Sequence, residues 1–384
     1  MHIEEVLKKT RDLAAGVLLA ETAIIDQEAV WPEKSIKALL TAGLGGLVAP
    51  KETGGLGHGL FSLVRVAETL GEVCASTSLC YGMHCVGTAV IAAKASEWQK
   101  ERYLVPISEG KHFTTLALSE PGTGAHFYYP QTQLMPHSAD SFSISGKKSF
   151  ITNGGHADSY VISTVAVDPD ADPNLFSCIV VDKETKGLVW GPKWQGMGMR
   201  GNSSRGLDIQ DATVPASHLL GEQGDQLWYI FNIVAPYFLT AMAGTYLGIA
   251  QAAFNEAHAH LQRRSYAHSG AGLSQVHVLQ HKLGVLWAKI ERTRRLLYYA
   301  AQEGDSNNFN ALPAVLSAKA EVAQCAVDAV NEAMTLSGGI AYRENSRFNV
   351  LLRDVRAAHI MSPTTDLLYT WLGRALLDQP ILSE

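Results

Sequence analysis

Leu118-Ser119-Glu120-Pro121-Gly122-Thr123-Gly124 and Ser149-Phe150-Ile151-Thr152-Asn153-Gly154-Gly155 decide the fold of this chain. The first stretch ends an apolar run and places two glycines where a backbone turns tightly and comes close to a ligand. The second follows the alternating positions Phe142 and Ile144 and closes on a turn signal. A strand, a turn and a returning strand set Phe150 and Thr152 against whatever the first turn holds.

Working outward, the pattern divides into three parts. Residues 1–111 carry apolar positions at helical spacing, as in Ile36, Leu39, Leu40 and Leu44, with Gly43, Gly45 and Gly46 closing that helix. Residues 112–217 turn to period two. Tyr160–Val165 and Ser177–Val181 read as buried strands, separated by Asp168–Pro173 as an exposed loop. Residues 218–384 return to long helical segments, broken at Asp305–Asn308 and at Gly338-Gly339. The fold class is therefore α+β: a helical opening domain, a small β-domain and a helical bundle.

Bulk properties exclude several classes. The chain has 384 residues, 47% of them hydrophobic, ample for a large core. Net charge is −6, from 31 basic and 37 acidic residues, and no basic run exceeds a pair such as Arg263-Arg264. Nucleic acid is not the expected partner. The five cysteines are an odd number without a Cys-x-x-Cys pair, which predicts reduced, buried thiols in a cytoplasmic protein. The start, Met1–Val6, lacks the basic-then-apolar pattern of a signal peptide. Ile230–Phe254 has no charged residue and is long enough to span a bilayer. Asn232, Pro236, Gly244 and Gln251 dilute it, so a helix buried on all sides is expected and no membrane contact.

The two opening motifs resemble those of the acyl-CoA dehydrogenase superfamily, and the resemblance runs over nearly the whole chain. Val48–Gly57, Met199–Ser204, Val214-Pro215-Ala216, Leu220-Gly221-Glu222, Leu336–Tyr342 and Leu352-Arg353-Asp354 fall in the family's order. The resemblance implies FAD as cofactor, held by Ser119, Thr123, Phe150 and Thr152, with a middle domain that is barrel-like and a C-terminal four-helix bundle. It also implies contacts from a neighbouring subunit through Arg263, Gly338 and Gly339, and contacts to ribose or phosphates from Thr364 and Asp366. A homotetramer or homodimer follows. The family usually has tryptophan where Phe150 stands, and serine and aspartate in place of Ala125 and His126.

The same resemblance sharpens the catalytic question. Removing a proton next to a thioester carbonyl needs a carboxylate, while the flavin takes hydride from the next carbon. Ser362 stands where the family places its glutamate, and Phe238 stands at a second family position for that base. Neither can act as one. Followed by Pro363, Ser362 reads as the N-cap of a helix running through Leu377. Asp366, one turn further on, is a candidate replacement base, against the plainer reading that it caps the helix or touches the flavin. His126 and His359 are further candidates, although a lone histidine is more often structural. Phe238, Met242, Tyr246 and Met361 are expected to build a pocket floor suited to a short or flat acyl group. The leading expectation is oxidation of the CH–CH group of an acyl-CoA or carrier-bound acyl thioester. Electron-transfer flavoprotein or oxygen would be the acceptor. A flavin monooxygenase and a non-catalytic helper subunit of a heteromeric dehydrogenase are the alternatives.

Overall fold

Residues 1–111 form seven α-helices in the computed structural model, which describes residues 1–165 and 176–382. They are α1 (Ile3–Leu13), α2 (Leu19–Glu28), α3 (Glu33–Thr41), α4 (Leu60–Val73), α5 (Ala75–Ala93), α6 (Glu97–Gln99) and α7 (Val105–Ser108). α3 ends where the glycines predict, with Gly43 in the left-handed region. α5 is buried along almost its whole length and lies between the β-domain and the C-terminal helices, so it reads as apolar on every face.

Among the described residues the middle segment is one eight-stranded sheet: β1 (Thr114–Ala117), β2 (Gln133–Ser138), β3 (Ser141–Ile151), β4 (Ser159–Val165), β5 (Phe176–Asp182), β6 (Leu188–Trp190), β7 (Arg205–Pro215) and β8 (Leu219–Leu220). Its order is β6-β7-β3-β2-β4-β5-β8, with β1 pairing β4 in parallel. β4 and β5 are buried on both faces, which explains their continuous apolar reading. The expected loop Asp168–Pro173 lies outside the described residues. β3 pairs β7 with register shifts between Ile144 and Gly146 and between Lys148 and Ile151. The second shift re-aims the strand end that carries Phe150.

The C-terminal segment holds α8 (Gln226–Tyr229), α9 (Ala235–Arg263), α10 (His277–Asp305), α11 (Ala311–Ser337), α12 (Arg347–Val355), α13 (Ala357–Ile360) and α14 (Thr365–Leu376). α9, α10, α11 and α14 pack together, and α4 of the first segment lies against α9. That approach needs glycine, because a Cβ at Gly248 would sit 2.3 Å from the carbonyl oxygen of Glu68. Glu68 also ties α4 to α10, accepting from Arg294 Nε and from Tyr298 Oη, both at 2.7 Å. The helical run Leu227–Arg263 is long and apolar enough to cross a membrane, but 78% of its most apolar window is buried inside the protein.

One expectation is corrected here. Ser362 does not cap the last helix, which begins at Thr365 and ends at Leu376. Thr364 is the N-cap: its backbone is extended and its side-chain oxygen accepts from Leu367 N–H at 3.4 Å. A cap needs extended backbone immediately before the first helical residue, and Pro363 separates Ser362 from that place. Ser362 is left free to face elsewhere.

Candidate functional site

A cavity of about 540 Å³ opens where the three segments meet. Its first wall is the loop Leu118–Gly124. Gly122 there has φ +88° with nothing within 4 Å of where a Cβ would stand, so bare backbone borders open space. Beneath the loop lies a buried ion pair. Lys148 Nζ donates to Glu120 Oε1 at 2.5 Å, to the carbonyl of Ser163 at 2.6 Å and to that of Leu118 at 3.4 Å. Glu120 also accepts from the backbone N–H groups of Gln131 and Thr132 and from Thr132 Oγ1. With its oxygens so engaged, Glu120 holds the loop's shape. Burial pulls the Lys148 pKa down to about 8, with Glu120 opposing.

The second wall is the end of β3 and the returning turn. Ser149 N–H donates to the Ser119 carbonyl at 2.7 Å, joining the two motifs that opened the sequence reading. Phe150 (φ 54°) and Met199 (φ 45°), both on the cavity, and their neighbours Asn153 (φ 65°) and Ser203 (φ 50°) are non-glycine residues in the left-handed region. Such strain persists only where the surroundings over-determine it. Asn153 shows how: it accepts from Trp31 Nε1 at 2.9 Å, donates from Nδ2 to the Cys80 carbonyl at 2.9 Å, and pairs its N–H with the Asn202 carbonyl. Phe150 is thereby held 68% exposed, edge-on to Trp194.

The third wall comes from α9 and from the segment between α12 and α14: Val234 and Phe238 on one side, Arg353, Arg356, Ala357, Ile360, Met361 and Ser362 on the other. Lys319 of α11 brackets this segment from behind, donating to the carbonyls of Ala358 at 2.9 Å and Pro363 at 3.2 Å. Arg353 forms a bidentate pair with Asp26 at 2.9 and 2.6 Å and donates to the Met197 carbonyl at 2.8 Å. Asp354 accepts from Met199 N–H at 2.5 Å.

Asp354 supplies a stability test. Burial pushes its carboxyl up to about 7, with the Met199 N–H pulling the other way. An unfolded aspartate titrates near 3.9, so between about pH 4 and 7 the unfolded chain gives up this proton while the folded chain keeps it. The Asp354 contribution therefore falls as pH rises through that window and is level above it. Asp354→Asn keeps an oxygen for Met199 and removes the titration. The melting temperature of the wild type minus that of D354N should decline from pH 4.5 to 7.5, and a flat difference would refute the assignment.

Of the residues expected at the site, Ser119, Phe150, Thr152, Phe238, Met361 and Ser362 line the cavity. Thr152 Oγ1 lies 3.3 Å from Ser204 Oγ. Thr123 turns inward, its Oγ1 donating to the Glu120 carbonyl at 3.2 Å. Met242 and Tyr246 are fully buried behind the cavity and are not part of its wall; Tyr246 Oη reaches Met361 Sδ at 3.8 Å. They change the expected floor: one and two turns on from Phe238 on the same side of α9, they lie deeper, wholly buried in the core, and only Phe238 reaches the wall. Asp366 is exposed on the first turn of α14 and does not line the cavity. His126 pairs with Tyr128 Oη at 2.8 Å and His359 with Thr365 Oγ1 at 3.1 Å, both outside the wall. Arg263, at the exposed end of α9, and Gly338 and Gly339, at the end of α11, lie away from the cavity on the surface. Lys148, Lys319, Trp194 and Arg356 were not anticipated. For Lys148 the signal was present: a lysine two pleats on from Ile144, on the same face of an alternating strand.

Comparison with known proteins bears on this geometry. The acyl-CoA dehydrogenase N-terminal, middle and C-terminal domain profiles match residues 2–111, 115–212 and 240–377. Cyclohex-1-ene-1-carbonyl-CoA dehydrogenase of Geobacter metallireducens is 30% identical over 383 residues, covering 98% of this chain and 99% of the relative. The chain belongs to the acyl-CoA dehydrogenase family. A short-chain-specific acyl-CoA dehydrogenase of Clostridium acetobutylicum is 29% identical over 368 residues, with 95% of each chain covered. The solved butyryl-CoA dehydrogenase of Megasphaera elsdenii superimposes with a TM-score of 0.91 at 26% identity, covering 98% of each chain. As an acyl-CoA dehydrogenase-type flavoenzyme, the chain has a cavity that fits its cofactor. Bare backbone at Gly122, an exposed aromatic at Phe150 and a hydroxyl at Thr152 border a space that a planar ring system can enter.

Proposed function

We propose that this protein oxidises the Cα–Cβ bond of a short or flat acyl thioester, joined to CoA or to a carrier protein, with FAD in the cavity. The observation that carries this reading is the convergence of the Ser119–Gly124 loop, the Ser149–Thr152 strand end and the Ala357–Ser362 segment on one space. When bound, FAD supplies the two-electron acceptor. Ser119, Phe150 and Thr152 hold and flank it, while Phe238 and Met361 crowd the acyl end. Arg263, Gly338 and Gly339 lie on the surface, as contacts to the flavin of a second subunit require, and a homodimer or homotetramer in the cytoplasm completes the reading. Electron-transfer flavoprotein or oxygen serves as acceptor.

What this cavity lacks is a base. Among the described residues lining it, Glu120 is the sole carboxylate, and Lys148 and the neighbouring donors occupy it. That observation favours, as a second reading, a helper subunit paired with a complete homologue. The oxygenase reading has less behind it, since no histidine is among the described residues of the wall. Anaerobic titration with an acyl-CoA panel separates the two: slow bleaching of the flavin band supports the first, and none, even with a glutamate installed at Ser362, supports the second. Because Asp366 faces solvent, Asp366→Asn should leave the bleaching rate within about twofold of wild type. A loss of about 10²-fold would reinstate Asp366 as the base.

A further inference from the structure

Two features of the cavity are complementary once taken together, and they deepen the reading above, on which this inference rests. Ser362, which the family resemblance sets at the proton-abstracting position, lines the cavity and is neutral. Arg356, at the joint between α12 and α13, lines the same cavity, is exposed, and has no hydrogen bond or ion pair among the described residues. The other lining charges are spoken for, Arg353 by Asp26 and Glu120 by Lys148. Among the described residues, the wall thus offers one free cation and no free anion. Elsewhere the same cavity is lined by the apolar Met83, Leu116, Leu118, Phe127 and Phe238.

We infer that the substrate carries its own anion: a 2-carboxyacyl thioester, whose loss of CO2 replaces proton abstraction. The bond between Cα and the carboxylate carbon breaks, CO2 departs, and the electron pair stays on Cα, spread into the thioester carbonyl. That pair then forms the Cα–Cβ double bond as hydride leaves Cβ for the oxidised flavin. The substrate loses CO2 and two electrons, the flavin gains those electrons with the hydride, and no base is needed. Arg356 draws in and orients the carboxylate through charge-assisted hydrogen bonds. The apolar walls favour its departure as a neutral molecule. Ser362 N–H, which has no partner among the described residues, is available to the thioester oxygen as charge develops there. A glutamate at Ser362 would repel such a substrate, so its absence and the free arginine have a single explanation.

Two measurements on the FAD-loaded protein test this. In calorimetry, malonyl-CoA, which has no Cβ hydrogen to lose, should bind at least about tenfold more tightly than acetyl-CoA. Arg356→Gln should erase that difference and Arg356→Lys retain part of it. Equal binding of the two thioesters, or equal weakening of both in R356Q as expected if Arg356 holds a CoA phosphate, would overturn the inference. In anaerobic titration, ethylmalonyl-CoA should bleach the flavin faster than butyryl-CoA and release one CO2 per flavin reduced. Bleaching by butyryl-CoA at the same rate would overturn the inference and leave the broader function standing. Bleaching by neither, in wild type or in S362E, would overturn both.

Discussion

Ser362→Glu should accelerate reduction of the bound flavin by a simple acyl-CoA by about 10²–10⁴-fold, the range that a positioned general base contributes. On the proposed reading, the variant supplies the base that the described cavity wall lacks, with no change in scaffold. Ser362 lines the cavity, it is released from capping α14 by Thr364, and its segment is clamped from behind by Lys319. Among the described residues lining the cavity the sole carboxylate, Glu120, is committed to Lys148. A glutamate at position 362 would project into the cavity beside largely apolar side chains, placed to accept a carbon-bound proton. Stopped-flow absorbance under anaerobic conditions, with butyryl-CoA in excess, reads the rate directly. If S362E bleaches no faster than wild type while retaining FAD, the Ala357–Ser362 segment does not present position 362 to the acyl carbon.

Lys148→Met should cost about 3–5 kcal/mol of folding stability, the usual effect of removing one partner from a buried pair. The pair is almost wholly excluded from water, with side-chain exposures of 0% for Lys148 and 3% for Glu120. Removing the ammonium leaves Glu120 with neutral donors but no counter-charge, and takes one donor from each of the carbonyls of Leu118 and Ser163. The double change Glu120→Gln with Lys148→Met should recover a large part of the loss, because no uncompensated charge then remains buried. Guanidinium midpoints of the three variants check this. Flavin retention should follow the same order, since Glu120 and Lys148 lie under the loop that borders the cavity. Additive losses in the double variant would show that the two residues do not act as a unit.

The fold was legible because its signals are local and periodic. The short runs Tyr160–Val165 and Ser177–Val181 became β4 and β5, and the uncharged stretch became the core of α9, where burial on all sides removes any polar face. The two opening motifs were legible as neighbours, and a hydrogen bond from Ser149 to Ser119 joins them. Helix starts were less so: Ser362 followed by Pro363 reads locally as a cap, yet the chain enters the helix only after Thr364, which is the residue that caps it.

Residue identity alone established that Ser362 cannot be a base, because a serine hydroxyl has no accessible carboxylate chemistry whatever surrounds it. It also set the order of helix, sheet and bundle. Tertiary structure decided which residues meet. Asp366, Met242 and Tyr246 lie at plausible spacing along their helices but face solvent or core, while Arg356, Lys148 and Lys319, distant in sequence or unremarked there, converge on the cavity and its supports. Spacing along a helix or strand specifies which residues share a face. Which face turns toward the cavity depends on how the α4–α9 contact, the β3 register shift and the Lys319 clamp set the elements against one another.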